Sequence, residues 1–125
     1  MTRTPGLWFV FLAAAALAAG AASAAGDAAE GKKTYETLCF SCHGTAGKGD
    51  GPAGAALDPK PRDFSVGDFK YDADKDGTAG ADADLKLIVK NGAAAYGGSP
   101  LMAPWGHLTD AEIDNVVAYV RSLKQ

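Results

Sequence analysis

Apolar residues recur at helical spacing in three stretches of this chain. The clearest is C-terminal, where Ile113, Val116, Val117, Val120 and Leu123 fall on one face of a 3.6-residue period. Thr109 with Glu112 three positions on has the form of a capping box that starts this helix, and Tyr119 lies beside its apolar face. A second, shorter helix is predicted over 83–90: Leu85, Ile88 and Val89 share a face, Asp82 or Asp84 caps it, and Asn91-Gly92 ends it. The third runs from Asp27, a candidate N-cap, to Leu38, with Tyr35 and Leu38 on one face. Gly31 interrupts it. A glycine there costs about 1 kcal/mol relative to alanine, so either this end frays or another helix crosses closely. Between Gly44 and Ala81 neither the helical nor the strand period is sustained, and Gly, Pro and Asp dominate. The expectation is an all-α fold, about three main helices joined by long loops.

The first 25 residues read differently. One basic residue, Arg3, precedes an apolar run from Leu7 to Ala19 and the small-residue string Gly20-Ala-Ala-Ser-Ala-Ala-Gly26. This is the form of a secretory signal peptide, with cleavage at Ala22-Ser23-Ala24 or Ser23-Ala24-Ala25. The run is short for a membrane span, and an uncleaved anchor is the competing reading. Domain organisation is therefore a leader over 1–25 and one domain over 26–125. Losing Arg3 moves the formal charge from −3 to −4. An acidic chain of this kind lacks the basic surface that nucleic-acid binding demands. About 100 residues have limited capacity to bury apolar surface. A structureless loop as long as 44–81 is itself unusual in a compact domain, so something has to fill the space it encloses.

Cys39-Phe40-Ser41-Cys42-His43 supplies the chemistry for that filler. Thiols at i and i+3 of a helical turn face the same way, so both can reach the vinyl carbons along one edge of a porphyrin, and C-x-x-C-H is the attachment signature of c-type haem. His43 follows at once, placed to bind iron from the proximal side. A plain disulfide suits an exported chain too. A thioredoxin-like pair requires a preceding strand, which the pattern lacks. Zinc requires four ligands, and His107 is the only other nitrogen donor.

With this motif the chain resembles the small class I, mono-haem c-type cytochromes of the bacterial periplasm. The resemblance also rests on Gly31-Lys-Lys-Thr-Tyr35, Gly47-Lys-Gly-Asp-Gly-Pro52, and Ser99-Pro-Leu-Met102-Ala-Pro-Trp105 before a final helix. It implies a cytochrome c-like fold wrapped around one covalent haem c, with Gly31 and Tyr35 meeting the C-terminal helix and Tyr119 packing on the first. Leu57, Phe64, Phe69 and Tyr71 become candidate haem contacts, while Tyr96 either covers the haem or fills core space. Pro52 resembles the family proline whose carbonyl orients the proximal imidazole, with Pro59 as the alternative. Arg62 resembles the cation that pairs with a haem propionate, or is a plain solvated arginine.

Met102 is the sole methionine once the leader is removed, and Pro100 and Pro104 restrict its loop. In this family context it is the expected sixth iron ligand, with His107 as the rival. Iron closed on both sides can change charge but not bind substrate. The implied function is a soluble periplasmic electron carrier, a monomer and not an enzyme, with no stable membrane insertion once the leader is cleaved. It shuttles single electrons between respiratory partners such as a membrane oxidase, reductase or dehydrogenase, at a positive midpoint potential. If Met102 does not ligate, the alternative is an open-site haem protein of the peroxidase or gas-sensing type. Separately, Asp72-Ala-Asp74-Lys-Asp76-Gly77 copies the first half of a calcium loop, but Ala83 stands where a bidentate Glu is required, which leaves a solvated acidic turn as the alternative to calcium.

Overall fold

Helices open and close the folded chain because each has a side chain that satisfies its free N–H groups. The computed structural model describes Met1 and residues 26–125, so the predicted leader lies, apart from Met1, outside the described residues. Helix α1 (Ala28–Leu38) begins where the Asp27 carboxylate accepts the N–H groups of Ala29 at 2.8 Å and Glu30 at 3.2 Å. A single turn, α2 (Phe40–His43), follows directly. Helix α3 (Asp82–Asn91) leads into a 3₁₀ turn over Ala93–Tyr96, and α4 (Asp110–Ser122) ends the fold. Thr109 and Glu112 cap α4 reciprocally: the Thr109 N–H donates to Glu112 Oε2 at 2.8 Å, and the Glu112 N–H to Thr109 Oγ1 at 3.2 Å. The described residues contain no strand, so the fold is all-α.

The main packing event is the crossing of α1 with α4. Gly31 is buried at this crossing, where any side chain would run into the Asn115 carbonyl. Asn115 also pins the start of α1, its Oδ1 accepting the Asp27 N–H at 2.7 Å. One turn on, Tyr35 is 1% exposed and meets Tyr119 edge-on, with ring centroids 5.0 Å apart. Tyr35, Leu85, Ile113, Val116, Val117 and Val120 make the core. Each such side chain, fully buried, contributes about 1.5–3 kcal/mol. Four of the six come from α4, which is therefore the scaffold of the molecule.

The long segment between α2 and α3 has neither helix nor strand but is tied down at several points. The Phe64 N–H donates to the Gly47 carbonyl at 2.7 Å, Gly80 to Tyr71 at 3.0 Å, and the chain's last residue, Gln125, to Ser65 at 3.0 Å. Asp84, on the first turn of α3, accepts the N–H groups of Ala73 at 2.6 Å, Asp74 at 3.2 Å and Ala81 at 2.8 Å. The loop is thus closed over the helices by backbone groups and the Asp84 carboxylate, with few apolar side chains of its own underneath.

Candidate functional site

Cys39, Cys42 and His43 lie on one helical turn. Cys39 closes α1, its N–H donating to the Tyr35 carbonyl at 2.8 Å, and its own carbonyl accepts the His43 N–H at 2.9 Å. Both cysteines are half-buried and not joined to each other. Burial, with Cys42 beside it, pushes the Cys39 thiol up to about 11, so it is a neutral thiol at neutral pH. A turn this short leaves carbonyls unpaired, and the next loop satisfies them. Ala53 donates to Ser41 at 2.8 Å, Gly51 to Cys42 at 3.2 Å and Gly54 to Ser41 at 3.3 Å. Gly54 lies so close that a side chain there would strike the Cys42 carbonyl. The buried Tyr35 hydroxyl donates to the Gly44 carbonyl at 2.7 Å, tying the far end of the turn to the core.

The His43 ring is held from two sides. Its Nδ1 lies 3.3 Å from the Arg62 carbonyl, and its face stacks on Phe64, with centroids 4.4 Å apart and planes 17° from parallel. Burial holds its pKa below the usual imidazole value, partly offset by the Arg62 bond. A carbonyl only accepts, so in that bond Nδ1 carries the hydrogen, and the neutral ring presents its lone pair at Nε2. That is the state in which imidazole binds a metal. The family resemblance implies that Pro52, with Pro59 as the alternative, gives the carbonyl that orients the imidazole. In the structure Pro52 is exposed within the loop that caps the cysteine turn, and the carbonyl that lies within reach of Nδ1 is that of Arg62. Arg62 itself is half-buried.

Met102 is half-buried in the loop between the 3₁₀ turn and α4. Its N–H donates to Ser99 at 3.2 Å and its carbonyl accepts from Ala93 at 3.2 Å. The Trp105 N–H donates to Val89 at 2.9 Å and fastens the loop to α3. His107 is exposed, beside the edge of Trp105 with ring centroids 5.8 Å apart. A cavity of about 550 Å³ is lined by Asp58, Pro59, Tyr71 and residues 97–101, so it borders the methionine loop, though Cys39, Cys42 and His43 are not among its lining residues. Tyr96 accepts from Asn91 Nδ2 at 2.7 Å. In the acidic turn, carboxylate oxygens of Asp72, Asp74 and Asp84 lie within 4.8 Å of one another, whereas Asp76 accepts the Thr78 N–H at 2.7 Å.

Residues 28–124 match the family model described as Cytochrome c. The chain belongs to the cytochrome c family. It is 37% identical over 105 residues to cytochrome c-554(547) of Halothiobacillus neapolitanus, an alignment covering 80% of this chain and all of that protein. It also resembles a chain of the reducing HAO-like protein complex of Kuenenia stuttgartiensis, with 33% identity and a TM-score of 0.62. That similarity covers 76% of this chain and 41% of the other. As a cytochrome c the protein is an electron-transfer protein with covalently bound haem c and its iron. The residues fit the group: two unjoined thiols on one turn suit thioether attachment, and the adjacent imidazole is neutral with Nδ1 already engaged. Among the described residues, no helix is long and apolar enough to cross a membrane.

The sequence reading missed two features of this site. Phe64 was only a candidate haem contact, yet it is the ring stacked on His43. Nothing in the sequence pattern marks Arg121, whose guanidinium lies over Phe69, 4.9 Å from the ring centre. The C-x-x-C-H spacing gave no hint of either, because both partners arrive from loops and helices distant in sequence.

Proposed function

We propose that this cytochrome c is a periplasmic one-electron carrier, and not an enzyme, with a haem attached through Cys39 and Cys42 and held axially by His43 and Met102. The observation that carries this reading is the His43 ring, neutral, stacked and donating from Nδ1 to Arg62, which leaves Nε2 for iron. Such a contact raises the basicity of the ligand and fixes its tautomer. When bound, the haem supplies an iron that takes up or releases one electron. Met102 is the partner ligand that the family pattern supports, a half-buried thioether in a loop braced at both ends. The exposed ring of His107 is poorly placed to compete. The half-buried Arg62 supplies a cation for a propionate.

With both axial positions closed, only electrons pass, and they pass in brief contacts with redox proteins such as a membrane oxidase, reductase or dehydrogenase. The occurrence of a similar chain within a larger HAO-like protein complex supports such docking. The leader over 1–25, cleaved near Ala24 or Ala25, supports export.

Carbon monoxide and the ferric spectrum test the coordination. The wild-type protein should bind carbon monoxide poorly when reduced, and when oxidised should show the weak band at the red end of the spectrum that methionine ligation gives. Met102→Ala should abolish that band, admit carbon monoxide readily and lower the midpoint potential. Ready binding of carbon monoxide by the wild type, or an unchanged band and potential in the variant, would overturn the carrier reading in favour of an open site or of His107.

A further inference from the structure

His43 stands at one end of a column of stacked groups. Phe64 lies against its face at 4.4 Å, and Phe69 follows at 5.9 Å from Phe64, with planes 30° apart. Arg121 closes the column with its guanidinium carbon 4.9 Å from the Phe69 ring centre, within the range of a cation–π contact. The far end is fixed. Arg121 Nε donates to Asp82 Oδ1 at 2.8 Å, and a terminal nitrogen of the same guanidinium donates to the Gly80 carbonyl. Because Arg121 belongs to α4, the column connects the imidazole to the helix that supplies most of the core.

An imidazole bound to iron through Nε2 keeps one freedom, rotation about its bond to the metal. The contact from Nδ1 to Arg62 is long for a hydrogen bond at 3.3 Å, so it directs the ring without fixing its plane tightly. A flat ring lying 17° from parallel does fix the plane. Phe64 can do so only if it cannot itself tilt, and the structure restrains its ring through packing against the core and through Phe69.

We propose that Arg121 is a positioning residue for the ligand His43, acting through Phe69 and Phe64 to set the plane of the imidazole. This rests on the reading that His43 binds the haem iron. It uses the properties that separate arginine from lysine, a planar fork for two acceptors and a flat face for a ring.

Proton NMR of the ferric, haem-loaded protein reads the result, because the spread of haem methyl shifts follows the orientation of the axial ligand planes. Arg121→Gln and Phe64→Leu should each change the order or spread of those shifts. Phe64→Tyr should restore the wild-type pattern, and Arg121→Lys should not. In the Phe64→Leu background Arg121→Gln should produce no additional change; Phe69→Leu serves in the same cycle if Phe64→Leu does not fold. An Arg121→Gln protein that melts earlier but keeps the wild-type methyl pattern would overturn the proposal, as would equal changes in both backgrounds. A wild-type ferric protein without hyperfine-shifted His43 resonances would instead remove the ligation on which it rests.

Discussion

Among the described residues Asp84 is the buried charged side chain, at 0% exposed. Burial alone would raise its pKa, but N–H groups of Asp74, Ala73, Ala81 and Gly80 outweigh that and hold it below the usual carboxylate value. The charged form is the one the fold selects. A carboxyl whose pKa is lowered on folding adds stability above its unfolded value, 3.8, and that stability is lost as pH falls through the folded value. Asp84→Asn should therefore lower the melting temperature at neutral pH, and the gap from wild type should close as pH falls below 3.8. Thermal scans of both proteins across that range check it; a gap independent of pH would mean that the charge contributes nothing. The sequence marked Asp84 only as an alternative helix cap, and placed Asp76 in the acidic cluster that Asp84 joins instead. Asp84 does cap α3, its Oδ2 accepting the Ala81 N–H at 2.8 Å, but its contacts with Ala73 and Asp74 and its place in the cluster could not be read from local spacing, since they depend on how the loop closes. The same limit hid Phe64 and the Arg62 carbonyl, roughly twenty residues from His43 along the chain. Cys39, Cys42 and His43, by contrast, were legible because their relation is one turn of helix.

Helices α1, α3 and α4 were legible for a related reason. Each carries a periodic apolar face and a capping residue, and their observed limits lie within a residue or so of the predicted ones. The turn α2 and the 3₁₀ turn over Ala93–Tyr96 are too short for a period to register, so the chemistry of the first was visible and its helicity was inferred from that chemistry alone. Gly31 shows how two elements decide what one residue costs. In an isolated helix Gly31→Ala would gain about 1 kcal/mol. At this crossing the new methyl group meets the backbone of Asn115, which cannot rotate away as a flexible side chain can. Overpacking of this kind costs about 1–3 kcal/mol, occasionally more, so the clash wins. Gly31→Ala should lower the melting temperature by about 4–8 °C for each kcal/mol lost, as scanning calorimetry would show. A variant as stable as the wild type, or more so, would mean that α1 is free to move away from α4.

At the scale of the molecule, the core identified above draws only on α1, α3 and α4. In the whole segment 44–81 the only buried hydrophobic side chain is Ala73. A domain of this size is marginal when its core is small, and a loop that buries so little apolar surface of its own opens easily. On the proposed attachment through Cys39 and Cys42, the covalent haem c of the family would supply the missing apolar surface. Cys39→Ala combined with Cys42→Ala should therefore leave a chain that exchanges its 44–81 amides rapidly while α1 and α4 retain the strongest protection. Hydrogen exchange read by mass spectrometry distinguishes the segments, and equal protection of 44–81 in both proteins would show that the loop is stable without the cofactor. The same instrument, under denaturing conditions, weighs the native product. On the proposed attachment and leader cleavage, the expected mass is one haem plus a chain beginning at residue 25 or 26, since a thioether bond resists denaturation. A bare polypeptide mass would exclude attachment through Cys39 and Cys42, and an intact Met1 with haem retained would make the protein a carrier anchored by its own leader.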